Sequence, residues 1–269
     1  MIPIFLLVLL IISLDPSDSV KPKIKGAHEE IPQGCQCGLE RIQPRIINGH
    51  VISPSKYPWD GQIGNPFTGL PTDRCHVTLI TDRHLVGAAS CVIFVNGASE
   101  RFTYDKDGDF IVNQIEDPQF KLVLEGIGPE SLANMPGLEI ESVVIPKEYV
   151  YDKIGNDIVI IKLKEALEFV NGLNPICLPN FEATENLFTY GYGQQKNGND
   201  RIDATQLHEA NLHMIEVDFC SKFFPKGKLN KTLNMCTMAD MEDPEGIKDK
   251  AICHGDIGSP LATRRRGIY

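Results

Sequence analysis

The chain has 269 residues, 42% of them hydrophobic, so it is long and apolar enough to bury the core of one large or two small domains. Its formal net charge of −10 argues against binding to nucleic acid or to anionic lipid. The seven histidines and eight cysteines show no zinc-ligand spacing, so the sequence predicts neither a metal site nor a cofactor.

The chain begins with a short apolar segment. Residues 1–14 are almost wholly hydrophobic and are followed by the small Ser17 and Ser19, which is typical of a signal peptide ending near residue 19. A short membrane anchor is the alternative, and no later segment is apolar enough to span a bilayer. Export predicts a secreted, extracellular protein whose cysteines form disulfides. Residues 20–45 have little apolar periodicity and are predicted to be an extended pro-segment.

Strand patterns follow in the middle of the chain. Apolar residues alternate around 77–80 and 85–86, which predicts two neighbouring strands. Residues 121–124 are a further predicted strand. Residues 138–145 and 157–163 are rich in β-branched side chains and alternate in polarity, which predicts two more strands.

Six segments in fixed order resemble the motifs of trypsin- and chymotrypsin-like serine proteases. They are Ile-Ile-Asn-Gly at 46–49, the cysteine-bounded segment 75–91, Gly-Asn-Asp-Ile at 155–158, Pro-Ile-Cys-Leu-Pro at 175–179, Tyr-Gly-Tyr-Gly at 190–193 and Cys-His-Gly-Asp-Ile-Gly-Ser-Pro-Leu at 253–261.

The resemblance covers residues 46–269 and implies a fold class. We expect an all-β protein of two chymotrypsin-like Greek-key β-barrels of the six-stranded type, the first at about residues 46–160 and the second at about 165–269. Family members continue beyond the position of Leu261 with a strand, a cysteine and a terminal helix. The second barrel is therefore expected to be incomplete.

The resemblance also assigns the catalytic positions, and two of the three are replaced. Asp157 occupies the position of the triad aspartate, Ser90 that of the general-base histidine, and Ile257 that of the nucleophilic serine. An isoleucine side chain has no lone pair with which to attack, and a serine hydroxyl does not accept a proton near neutral pH. Asp157 is then expected to bind Ser90 and backbone groups as a structural residue. Rescue of catalysis by nearby Ser259 or His254 is the less favoured alternative.

Further family roles fall on other residues of this chain. The backbone N–H groups of Gly255 and Ile257 correspond to the oxyanion site. Arg45 and Ile46 correspond to the activation cleavage site, whose new Ile46 ammonium would pair with Asp256. Ala251 stands at the base of the specificity pocket, where trypsin-like members have an aspartate.

The resemblance implies three disulfides, and two histidines stand at unusual positions. The expected pairs are Cys75 with Cys91, Cys220 with Cys236, and Cys177 with either Cys35 or Cys37. His76 replaces a family glycine, and His84 replaces a family tryptophan and is expected to fill a core position.

Asn230, Lys231 and Thr232 form a sequon, which predicts N-glycosylation of Asn230. Together these features predict a secreted trypsin-like serine protease homologue without catalytic activity, which binds or regulates a protein partner. One alternative is an active serine endopeptidase of the same family acting on a protein substrate, and another is a truncated product without stable function. Neither a nucleic-acid partner nor stable membrane insertion is expected.

Overall fold

The computed structural model describes fourteen separate stretches of the chain: residues 37–39, 51–52, 56–64, 74–96, 103–104, 110–112, 121–124, 137–150, 155–170, 172–179, 187–193, 207–224, 229–239 and 256–263.

Eight antiparallel strands form the first sheet. In spatial order they are β5 (Thr103–Tyr104), β6 (Phe110–Val112), β8 (Ile140–Ile145), β9 (Val159–Leu163), β4 (His84–Gly87), β3 (Arg74–Leu79), β2 (Asp60–Gly64) and β7 (Lys121–Leu124), numbered along the chain. The β3–β4 and β8–β9 pairs confirm strands that were predicted from alternating apolar residues.

Five antiparallel strands form the second sheet. They are β1 (Val51–Ile52), β11 (Leu207–Ile215), β10 (Leu187–Gly191) and β13 (Ala262–Thr263) in that order, with β12 (Cys236–Ala239) also paired to β11. The described residues contain two helices, α1 (Ala89–Asn96) and α2 (Val217–Cys220). The nearly all-β content and the antiparallel sheets confirm the predicted chymotrypsin-like fold class.

Strand β9 shows how the sequence pattern becomes a core. Val159, Ile161 and Leu163 are buried, whereas the intervening Ile160 and Lys162 are half-buried. Alternate side chains of a strand point to opposite faces, so one face of β9 packs on the core.

Tyr57 joins the two sheets. It lies just before β2 of the first sheet, yet its ring stacks on Tyr190 of β10 with the ring centroids 4.2 Å apart. Its hydroxyl donates to Glu209 of β11. The neighbouring Trp59 is also fully buried, with its ring centroid 5.6 Å from that of Tyr57. The two sheets therefore share one aromatic contact region.

Three disulfides cross-link the described residues. Cys75 pairs with Cys91, Cys220 pairs with Cys236, and Cys177 pairs with Cys37. The alternative partner of Cys177, Cys35, lies outside the described residues.

The prediction that His84 fills a core position is wrong. Its side chain is half-buried, and Nδ1 lies 2.9 Å from the hydroxyl of Thr81 in an exposed turn. Strand β4 presents Leu85 and Val86 to the interior instead, and His84 pairs with Lys162 at the outer end of β9. The histidine that does enter the interior is His76.

Within the described stretches, no helix is both long and apolar enough to cross a membrane. The same residues contain no cluster of three or more histidine, cysteine, aspartate or glutamate side chains that could hold a metal ion.

Candidate functional site

Asp157 is presented by a turn whose residues suit its backbone angles. Gly155 has φ 133° and Asn156 has φ 55°, values that glycine adopts freely and that asparagine tolerates better than most residues. The N–H of Ile158 donates to the carbonyl of Asn156 at 2.8 Å, which closes the turn immediately before β9. The Gly-Asn-Asp sequence thus holds the Asp157 carboxylate at the start of a core strand.

Ser90 occupies both oxygens of that carboxylate. Its backbone N–H donates to Asp157 Oδ1 at 2.7 Å, and its hydroxyl donates to Oδ2 at 2.8 Å. Ser90 lies in the first turn of α1, where N–H groups have no partner within the helix. A carboxylate is favoured at a helix N-terminus, because it accepts such N–H groups and its charge opposes the helix dipole. Asp157 therefore caps α1.

Ile257 lies in the turn that precedes β13. The N–H of Ser259 donates to the carbonyl of Asp256 at 3.1 Å, and Gly258 has φ 85°. The Ile257 side chain is half-buried and packs against the core, and its carbonyl accepts the N–H of His76 at 2.8 Å. We call residues 256–261 the Ile257 loop. At the position that the sequence resemblance assigns to the nucleophile, this loop presents the hydrocarbon side chain of Ile257.

Ser259 is poorly placed to act as a nucleophile. Its residue surface is 2% exposed, and its hydroxyl finds no hydrogen-bond partner among the described residues. A serine needs an adjacent base and access to substrate in order to attack a carbonyl. Ser259 has neither feature within this part of the structure.

Asp256 points its carboxylate at the turn that follows β10. The N–H of Gly193 donates to Asp256 Oδ1 at 2.6 Å. A Cβ atom added at Gly191 or at Gly193 would overlap the Asp256 carboxylate, so the approach requires glycine at both positions. The Gly-Tyr-Gly sequence at 191–193 and the aspartate therefore fit together.

The structure also shows a buried Asp–His pair that sequence reasoning missed. His76 Nδ1 lies 2.9 Å from Asp60 Oδ1, and the two residues are 1% and 0% exposed. Burial raises the pKa of Asp60 above its ordinary value, while the charge and hydrogen bond of His76 and the N–H of Gly61 oppose the rise. The available signal was His76, a polar residue beside the predicted strand at 77–80, at a position where the family motif around Cys75 has a glycine.

Several sequence-predicted residues lie outside the described part of the chain. They are Arg45 and Ile46 of the expected cleavage site, Gly255 of the oxyanion site, Ala251 of the pocket base, and Cys253 and His254 beside the loop.

The antiparallel two-sheet fold, with Asp157 and the Ile257 loop at the family's motif positions, defines a serine-protease-like protein. A sequence model of the trypsin family, described as Trypsin, matches residues 126–269, which is more than half of the chain. The chain therefore belongs to the trypsin family. The matched range includes Asp157 and Ile257, whereas Ser90 lies before it.

Three individual relatives are similar to most of this chain. Phenoloxidase-activating factor 1 of Holotrichia diomphalia is 26% identical over 242 residues, which cover 85% of this chain and 61% of the relative. Phenoloxidase-activating factor 3 of the same species is 26% identical over 240 residues, with 86% and 63% covered. The clotting factor G beta subunit of Tachypleus tridentatus is 24% identical over 237 residues, with 84% and 68% covered. The chain thus spans about three fifths of the length of the first two relatives.

Proposed function

We propose that this protein is a secreted member of the trypsin family that has no proteolytic activity and acts by binding a protein partner. The observation that carries the proposal is the state of the catalytic positions. Ser90 stands at the base position and is bound through both its N–H and its hydroxyl to Asp157, and Ile257 stands at the nucleophile position.

The chemistry of these side chains supports the loss of catalysis. Peptide hydrolysis by this family needs a nucleophile and a base that takes its proton. Removing the nucleophile alone lowers turnover by about 10⁶ in a triad protease, and this chain lacks the base as well. A protein of this fold can lose catalysis and still keep its core, its disulfides and the packing of its loop. Its folded surface then remains available for binding.

The relatives support a protein as the partner. Two are named as phenoloxidase-activating factors and one as a subunit of a clotting factor. These names describe proteins that activate, or assemble with, other proteins. In such a setting, a catalytically silent chain would act by occupying a partner or by competing with active members of the family.

The decisive experiment is labelling with a fluorophosphonate, which reacts with an activated serine of this family. We expect no labelling of the purified chain, either intact or after cleavage at Arg45, while an active trypsin in the same tube is labelled. Stoichiometric labelling that peptide mapping assigns to one serine would establish the alternative, an active serine endopeptidase, and Ser259 would be the first residue to examine.

Maturation of the chain is part of the proposal. We infer removal of residues 1–19, cleavage after Arg45 and an N-linked glycan on Asn230. The Thr232 hydroxyl and N–H donate to Asn230 Oδ1 at 2.7 and 2.9 Å, and both residues are exposed, so the sequon has room for a sugar. Export also suits a chain with three disulfides.

Intact mass spectrometry of the product secreted by a eukaryotic cell tests these steps together. We expect a mass that starts near residue 20, three disulfides and a glycan that Thr232→Ala removes. Retention of the chain in the cell as an aggregate would instead support the other alternative, a truncated product without a stable fold. Thr232→Ser is the matched control, because it keeps the sequon and so should keep the sugar.

A further inference from the structure

The Asp60–His76 pair lies between the first sheet and the Ile257 loop. Asp60 belongs to β2 and His76 to β3, where they are diagonal neighbours because Asp60 pairs with Thr78 and Gln62 pairs with His76. Diagonal side chains on one face of a sheet are within reach of each other when one of them is long. The result is a buried contact of 2.9 Å between two ionisable side chains.

His76 contacts the Ile257 loop through its backbone. Its N–H donates to the carbonyl of Ile257 at 2.8 Å. On the other side, a Cβ at Gly258 would overlap the carbonyl oxygen of His76, so the two segments approach as closely as glycine permits. His76 of strand β3 therefore contacts two successive residues of the loop, Ile257 and Gly258.

The His76 ring reaches the second sheet. It stacks on Tyr192, with centroids 5.8 Å apart and planes 9° from parallel, and it meets the ring of Tyr190 edge-on at 6.0 Å. Tyr192 stands between Gly191 and Gly193, the two glycines against which Asp256 packs. The His76 imidazole thus contacts both the Asp60 carboxylate and Tyr192, and Tyr192 belongs to the turn that binds Asp256.

The electrostatics make this pair sensitive to the loss of either member. A buried carboxylate or imidazole is tolerated when it has a partner and is costly without one. Asp60 depends on His76, because among the described residues Asp60 Oδ2 has no hydrogen-bond partner. If the ring moved, Asp60 would lose this side-chain partner and keep the backbone N–H of Gly61, so the pair favours the observed position of β3.

We propose that the Asp60–His76 pair is a latch that holds the Ile257 loop closed against the first sheet in the uncleaved chain. Asp60 and His76 are positioning residues that act through Tyr192 and the backbone of β3. None of these contacts needs a free amino group, so on this proposal closure of the loop does not depend on a new ammonium at Ile46. The face that includes the loop is then formed before any cleavage after Arg45.

Hydrogen exchange tests whether the loop is closed before cleavage, in two forms of the protein that both keep Asp60 and His76. The Arg45→Gln chain, which resists cleavage by trypsin-like enzymes, is compared with the wild-type chain cleaved after Arg45. We expect equal protection of residues 256–263 in the two forms. A loop that is unprotected in the intact chain and becomes protected only after cleavage would overturn the proposal.

Three variants test the latch itself. His76→Gly restores the family residue and keeps the backbone N–H, and Asp60→Ala removes the carboxylate. Each is expected to speed exchange of residues 256–263 at least about tenfold relative to strands β8 and β9. Asp60→Asn keeps an oxygen that accepts the His76 N–H, so it is expected to preserve most of the protection.

A matched control separates the latch from a general loss of stability. Thr78 lies on the same strand as His76 and is also buried, and its hydroxyl has no hydrogen-bond partner among the described residues. In Thr78→Val, loop exchange should therefore stay at the wild-type rate. Uniform acceleration across all strands in His76→Gly and Asp60→Ala, or acceleration equal to that in Thr78→Val, would show that the pair does not hold the loop.

Discussion

Asp157 illustrates how a retained residue acquires a different role from its neighbours. Its two oxygens accept the N–H and the hydroxyl of Ser90, so the carboxylate caps the first turn of α1. An imidazole at position 90 could donate one N–H to the same carboxylate and leave its other nitrogen as a proton acceptor. The residue at position 90 therefore decides whether Asp157 supports a helix or a base.

Restoring two side chains should restore reactivity. In the double variant Ser90→His/Ile257→Ser, Asp157 is placed to orient the new imidazole, and the new serine has a base. We expect fluorophosphonate labelling about 10²–10⁴-fold faster than in Ile257→Ser alone, which is the usual contribution of a general base. Equal rates in the two variants would mean that the groups are not brought together. Ser90→His alone is the control and should remain unlabelled.

The buried Asp60 carboxyl predicts a pH dependence of stability. Its pKa is raised from 3.8 chiefly by burial, so the folded chain keeps the proton to a higher pH than the unfolded chain does. The contribution of this group is then complete below pH 3.8 and is lost as the pH rises through the folded pKa, by at most about 1.4 kcal/mol per pH unit. Urea unfolding measured upward from about pH 4 should show this decline in the wild type and a smaller one in Asp60→Asn. Parallel curves would contradict the assignment.

At the scale of elements, the sequence identified local patterns well and long-range contacts poorly. Strands β3, β4 and β9 were predictable because alternation is visible within a few residues. The Asp60–His76 contact was not, because it depends on how β2 registers against β3. Cys35 and Cys37 are two residues apart, so spacing alone did not choose between them. His84 was misplaced because its position on a strand before the Ser90 turn suggested burial, whereas its side chain is half-buried and meets Thr81.

The contact between the Ile257 loop and β3 can be tested with one methyl group. Gly258→Ala places a Cβ at φ 85° and into the carbonyl oxygen of His76, so we expect a loss of about 2–4 kcal/mol in the free energy of unfolding. Gly155→Ala is the matched control, because it also has a positive φ but its Cβ would lie 4.0 Å from Leu233. At φ 133° backbone strain alone should cost the control about 1–3 kcal/mol, without the added overlap that Gly258→Ala creates. Equal losses would mean that the loop gives way at little cost.

At the scale of the whole molecule, the two sheets share their core. Tyr57 and Trp59 of the segment entering β2 belong to the same buried cluster as Phe188 and Tyr190 of β10. Strand β1 adds a second link, since it pairs with β11 before the chain enters the first sheet. Among the described residues, both sheets therefore contribute to one buried cluster.

We accordingly expect the two sheets to unfold together. Trp59 is the only tryptophan, so its fluorescence reports on the junction, while circular dichroism reports on all strands. The two signals should give the same urea midpoint, as a single cooperative transition requires. A fluorescence change that precedes the loss of strand signal would indicate that the junction opens first. Lys164→Ala, at an exposed position far from the junction in the sequence, should leave the two midpoints coincident.

The Cys37–Cys177 disulfide joins positions 140 residues apart, and Arg45 lies between them. A cut after Arg45 therefore yields two polypeptides that remain one covalent particle. Short tethers keep their two ends at effective concentrations in the millimolar range, which dilution of the whole protein does not change. The upstream piece would stay beside the surface near Cys177, where it could either block a partner from binding or contribute to the binding surface. Reduction, and not proteolysis, is then the event that would set it free.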